Sequence, residues 1–148
     1  MIVSRPATSA DAYDLAPRLR EADRREIVAL SGVTPLTALV ASLNRSTEAR
    51  AVAADDEVIA MYGYAADPLG RAAMVWALGS DRLPKHRVTL IKEMKRFLDK
   101  VQEKHGRLVN IVDVDNADAI ELLRRLGFNF GVALPAPGGG RAMSFWRS

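Results

Sequence analysis

The sequence predicts an α/β fold built on a mixed sheet. Three observations carry that expectation. Apolar residues recur at helical spacing in some stretches and run together or alternate in others, so both periods are present. Three strand-like segments follow one another around turn residues, which makes an antiparallel meander. The C-terminal part then reads strand, helix, strand, helix, strand, which requires some neighbouring strands to run parallel. The chain has 148 residues, 49% hydrophobic and 26% charged. That length and balance suit one compact soluble domain over 1–148.

The elements follow in order. IVSRP opens as a short strand. Ser9 is a suitable helix N-cap, with Asp11 in the first turn where a carboxylate favours the positive helix end. Leu15 and Leu19 lie one turn apart, and Pro17 between them predicts a kink or a late start. A second helix spans Glu21 to Leu30 and is broken by Ser31-Gly32. Thr34-Pro35 is a cap followed by a first-turn proline, and Leu36, Leu39, Val40 and Leu43 supply the next apolar face. From Ala49 the period changes: ARAVAA, VIAMYGYAA and RAAMVWALG read as strands around Asp55-Asp56 and Asp67-Pro68-Leu69-Gly70.

The longest helix is expected from about Lys85 to His105. Val88, Ile91, Met94, Leu98 and Val101 recur along it, and Gly106 ends it. LVNIVDV is short and β-branched, as a buried central strand would be. A helix from Asn116 to Leu126 is stopped by Gly127, and FNFGVAL and RAMSFW close the chain around PAPGGG. The order is βααα-βββ-α-β-α-ββ, with no internal repeat.

Composition excludes several classes. There is no cysteine, so no disulfide scaffold, thiolate metal site or cysteine nucleophile. The two histidines, His86 and His105, lie 19 residues apart on one predicted helix and cannot share a metal ion, so no metal site is expected. The N-terminus lacks a signal-peptide run and no stretch reaches membrane-span length, so a soluble chain without membrane contact is expected. Net charge is +3, but between Arg82 and Arg107 nine basic residues face three acidic ones, a local charge of +6. Such a stripe is either a solvated helix face or a surface for an anion: phosphate, nucleic acid or an acidic partner.

NADAIELLRRLGF, residues 116–128, resembles a signature of the GNAT (Gcn5-related N-acetyltransferase) superfamily. Asn116, Ala119, Leu122, Leu126, Gly127 and Phe128 fit its pattern. Asn116 can cap the helix or bond a ligand amide, and Gly127 tolerates the left-handed backbone that ends it. The element order agrees with that fold along the whole chain. The expectation is a GNAT-like α/β sandwich: a mixed six- or seven-stranded sheet with helices on both faces.

The resemblance implies an acetyl-CoA loop before the long helix, where glycines let backbone N–H groups approach a pyrophosphate. The matching register is Arg82-Leu83-Pro84-Lys85-His86-Arg87. Arg82 fits, but Lys85 and Arg87 occupy the glycine positions and Pro84 removes a donor. The position at which many family enzymes carry a general-acid tyrosine is Leu123, which cannot give a proton. Either Lys85 and Arg87 hold a phosphate by charge, or the scaffold has lost acetyl transfer.

Residues 82–128, the N-terminal RPATSADAYDL and Tyr62-Gly63 also look like the GNAT-like internal virion proteins of T7-like podophages. That likeness implies a virion-associated protein of GNAT-like fold, catalytically degenerate, acting as a structural or assembly module in the particle or tail. No cofactor is then expected. Partners would be other virion proteins (portal, tail or core components), the location the virion and, during assembly, the host cytoplasm, and an oligomer within the particle is compatible with this. The other reading is an active acetyl-CoA-dependent N-acetyltransferase acting on an amine. Arg82, Lys85, Arg87 and Asn116 would then contact the cofactor, with an unassigned aspartate as base. Asp81, Asp113 and Asp115 lie near strand ends, where such residues either act as bases or are solvated and cap the next helix. His86 reads as a polar helix-start residue or a base near the loop. The aromatics Trp76, Phe97, Phe128, Phe130, Phe145 and Trp146 read as core or sheet face. A third class is a nucleic-acid-binding module using the 82–107 stripe.

Overall fold

The computed structural model describes residues 2–148 of the chain. Turn chemistry sets the first half of the sheet. Asp55 and Asp56 both take positive φ, 52° and 64°, the backbone of a two-residue hairpin turn that short polar side chains tolerate. They join β2 (Glu48–Ala54) to β3 (Glu57–Ala66), and the turn at Asp67–Gly70 joins β3 to β4 (Ala72–Gly79). With β1 (Ile2–Pro6) paired to β2, this half is antiparallel throughout.

The second half contains β5 (Arg107–Asp113), β6 (Asn129–Pro135) and β7 (Arg141–Arg147). One mixed seven-stranded sheet results, in the order β1-β2-β3-β4-β5-β7-β6. Among the described residues its single parallel contact is β4 with β5, and it is short: only Ala72–Met74 pair with Arg107–Val109. Beyond that the two central strands part.

Helices cover both faces, and the apolar side chains divide accordingly. On one face α4 (Arg87–His105) buries Leu90, Met94, Leu98 and Val101 against Tyr62, Tyr64 and Val75, and α5 (Ala117–Arg125) closes over Phe128 and Phe145. Each such aliphatic side chain contributes roughly 1.5–3 kcal/mol by leaving water. On the other face α1 (Ser9–Leu15), α2 (Glu21–Leu30) and α3 (Pro35–Arg45) pack Leu15, Ile27 and Leu39 on Ala51, Val58 and Met61. Among the described residues no single helix is long and apolar enough to cross a membrane.

The observed order matches the expected one, with local corrections. Thr8, not Ser9, stands at the N-cap of α1. Its N–H donates to Asp11 at 2.8 Å, and Arg5 grips the same carboxylate with two contacts of 2.7 Å. Pro17 does not kink α1. The helix ends at Leu15 and a 3-10 turn over Ala16–Arg18 takes its place. The long helix starts at Arg87, two residues late, because Pro84 sets a 3-10 turn over Leu83–His86. Asn116 caps α5, accepting from the Ala119 N–H at 3.1 Å. β5 is central but not buried throughout: Ile111 is 45% exposed because β4 has moved away from it.

Candidate functional site

The parting of β4 and β5 leaves backbone groups without a sheet partner, and such groups need one. Alternation along β4 fixes which they are. The Ser80 N–H donates to Ile59 across the β3 side, so Val75, Ala77 and Gly79 turn their N–H and C=O groups toward β5. Side chains fill most of the gap. The Asn110 amide donates to the Val75 carbonyl at 2.7 Å and accepts from the Ile111 N–H at 2.7 Å, bridging the strands where they separate. Further along, α2 supplies two carboxylates. Asp23 accepts from the Gly79 N–H at 2.9 Å, and Glu26 accepts from the Asp113 N–H at 2.8 Å.

Asp23 is the hub of this arrangement. It is 1% exposed. Arg20 contacts both of its carboxylate oxygens at 3.1–3.2 Å, and the Asn116 amide donates to it at 3.2 Å. One carboxylate thus ties α2 to the end of β4 and to the cap of α5. A charge this buried requires such pairing. Glu26 is different. Among the described residues no ion pair reaches it; burial first, then the neighbouring Asp23 and Asp113 carboxylates, push its carboxyl up to about 7, against the pull of the Asp113 N–H and the Asn116 amide. At neutral pH it sits near its midpoint.

Past these contacts the gap opens into a largely apolar cleft of about 490 Å³. Ile27, Trp76, Leu78, Ile111, Leu122 and Leu123 are among its walls, so Leu123 does face the cleft, with no proton to give. Ala77 turns its N–H and C=O that way, with no sheet partner on that side among the described residues.

The 82–87 segment borders the cleft, and its backbone amides are already committed. The Arg82 N–H donates to Ser80 Oγ, the Leu83 N–H to the Ser80 carbonyl and the Arg87 N–H to the Pro84 carbonyl. Pro84 has no N–H. Lys85 and His86 stand inside the 3-10 turn, whose own i to i+3 bonds take up main-chain donors, so the turn is not a cradle of converging N–H groups. Of the residues expected to contact a cofactor, Arg82 reaches away to the β2–β3 turn, pairing with Glu57 and, at 3.0 Å, with Asp55. Lys85 and Arg87 are exposed and, among the described residues, lack an ion pair. Asn116 is 1% exposed, its amide engaged by Asp23 and Ala119. The four are not brought together around one ligand, and the loop does not fit a coenzyme A pyrophosphate.

The aspartates also separate. Asp113 is buried, its Oδ1 accepting from the Asp115 N–H at 3.2 Å, while Asp81 and Asp115 are exposed. Sequence reasoning missed Arg20, Asp23 and Glu26. A signal existed: Asp23, Ile27 and Leu30 share one face of α2 at i, i+4 and i+7, so a carboxylate stands on the apolar stripe.

A family model described as "Bacteriophage T7, probable scaffold protein Gp13" matches residues 53–132. No curated protein matches the sequence. Among solved structures, Ard1 from Thermoplasma volcanium is similar at a TM-score of 0.73 and 18% identity, over 99% of this chain and 96% of that one. The ribosomal-protein-S18-alanine N-acetyltransferase from Escherichia coli gives 0.66 and 16%, over 99% and 92%. A GNAT-family acetyltransferase from Streptococcus pneumoniae gives 0.65 and 14%, over 99% and 98%. At these identities the likeness establishes the GNAT fold.

Proposed function

The chain belongs to the family of the bacteriophage T7 probable scaffold protein Gp13, and from that premise we propose that it is a virion-associated assembly module whose acetyltransferase scaffold no longer transfers acetyl groups. Its partners are other proteins of the particle, of the portal, tail or core. Its place is the virion and, before that, the cytoplasm of the infected host.

The observation that carries this reading is the turn at 82–87. A pyrophosphate site at a helix N-terminus works by presenting free N–H groups to the anion. Here three amides of the turn are bonded within the protein and a fourth is a proline. Leu123 in the cleft and the pinned Arg82 support the same conclusion.

Calorimetric titration with coenzyme A and with acetyl-CoA tests it. The expected result is no binding heat up to millimolar ligand, and none in the Lys85→Gly, Arg87→Gly double variant. Micromolar binding of acetyl-CoA together with acetylation of an amine overturns it.

One observation favours the second reading, an active N-acetyltransferase. The cleft is open, and Glu26 beside it carries a carboxyl raised to about 7. A carboxylate with that value is suited to take a proton from an amine at neutral pH. In that reading Glu26, rather than an aspartate, is the base.

A further inference from the structure

The far flank of α4 carries a second site, formed with β2 and β3. Every fourth residue from Lys92 is a cation: Lys92, Arg96, Lys100 and Lys104. At 1.5 Å per residue the row extends about 18 Å, with neighbours about 6 Å apart. Like charges at i, i+4 destabilise a helix by a few tenths of a kcal/mol per pair. Folding therefore does not ask for this arrangement.

The last three of the row line a groove of about 360 Å³ between α4 and the β2–β3 surface. Arg96, Lys100 and Lys104 form one wall and Arg50 stands on the floor, opposed only by Glu48 and Glu93. Among the described residues no ion pair reaches any of the row or Arg50. Arg50 is instead held in place by Ser4 Oγ, at 3.2 and 3.3 Å. The four cations of the row are exposed. The phenol of Tyr62 at the base stays protonated, pushed up to about 12 by burial and by Glu93.

The geometry points to this groove as a binding site for the phosphodiester backbone of a nucleic acid, held by Arg50, Arg96, Lys100 and Lys104. A linear array of unneutralised cations complements a linear array of phosphates, and release of their counterions drives such binding. An acidic protein segment is the weaker match. Protein interfaces centre on exposed aromatic or apolar anchors and are depleted in lysine. Here the two tyrosine rings under the groove are buried, Tyr62 at 3% and Tyr64 at 4% exposure, both packed against a partly buried Phe97. Buried rings also cannot stack on unpaired bases, so a preference for single strands is not expected. This site lies outside the β4–β5 cleft and does not depend on whether acetyl-CoA binds there.

The test is fluorescence anisotropy of the full chain with labelled 20-nucleotide DNA, duplex and single-stranded, across a salt series. We expect duplex binding in the range of roughly 1–100 μM at low salt, with a log–log salt slope of about −3.6 for four phosphate contacts. Arg96→Glu with Lys100→Glu should weaken binding by about tenfold or more and bring the slope toward about −2. Glu93→Gln should tighten it, a gain that misfolding does not produce. Arg45→Glu, an equal charge change on the other face of the sheet, should leave it within about twofold. The proposal is overturned by a flat salt response, by absence of binding at low salt, by an equal loss in Arg45→Glu, by single strands binding tighter than duplex, or by poly-glutamate binding as tightly as DNA.

Discussion

The cleft and the groove treat charge in opposite ways. On the cleft side Asp23 has Arg20, the Gly79 N–H and Asn116, and Glu26 has the Asp113 N–H. On the groove side Arg96, Lys100 and Lys104 face Arg50 with no ion pair among the described residues. Taking a charge out of water costs several kcal/mol, so a buried carboxylate must be paired, bonded or protonated for the chain to fold. An exposed ammonium keeps its water and has no such requirement. The contrast separates polar groups that hold the molecule together from polar groups left for something outside it.

Asp23→Ala breaks the contrast most severely. It leaves a half-buried guanidinium and a buried N–H without partners, and about 3–5 kcal/mol of stability should be lost in urea unfolding. A loss below about 1 kcal/mol would show that the hub is decoration. Asn116→Ala removes the α5 cap and one bond to Asp23, and about 2 kcal/mol should go, read from the same unfolding curves.

Glu26 sharpens the comparison through pH. Its folded value is about 7 against an ordinary 4.5, so the folded state holds the proton more tightly than the unfolded chain. Its contribution is therefore fully present below pH 4.5 and is lost as pH rises through 7. Glu26→Gln mimics the protonated form and keeps an acceptor for Asp113. At pH 8 it should be more stable than the parent by about 1–2 kcal/mol, with little difference at pH 4.5. Thermal melts at both pH values check this, and a gain of the same size at both would rule out titration of Glu26 as its source. The smallest effect belongs to the groove: Lys100→Gln relieves like-charge neighbours and should raise stability by only about 0.3 kcal/mol.

Much of this fold was legible because its signals are local. Asp55-Asp56, Thr34-Pro35, Gly106 and Gly127 act through their own φ angles and hydrogen bonds, so each element between them could be placed from neighbours in the chain. The basic stripe was legible as well, being a count of charges on one helix. Which of its members would lack an ion pair was not: Asp99 pairs with Arg147, and Arg82 with Asp55 and Glu57, residues remote in the chain. The 82–87 register drew attention to bulky side chains, yet Lys85 and Arg87 lie in solvent. In the proposed reading the obstacle to a phosphate is the main chain, whose hydrogen bonding depends on Ser80 and on how Pro84 tightens the turn.

By itself the sequence determined the order of strands and helices, the caps and breaks between them, and the Asn116–Phe128 signature, because propensity, period and turn chemistry act over a few residues. Tertiary structure alone decided what fills the space between β4 and β5 and which cations remain free. The bonds of Asp23 to Gly79, Glu26 to Asp113 and Asn116 to Asp23 join residues 56, 87 and 93 positions apart. Such contacts exist only once the sheet has brought its central strands together at one end and held them apart at the other.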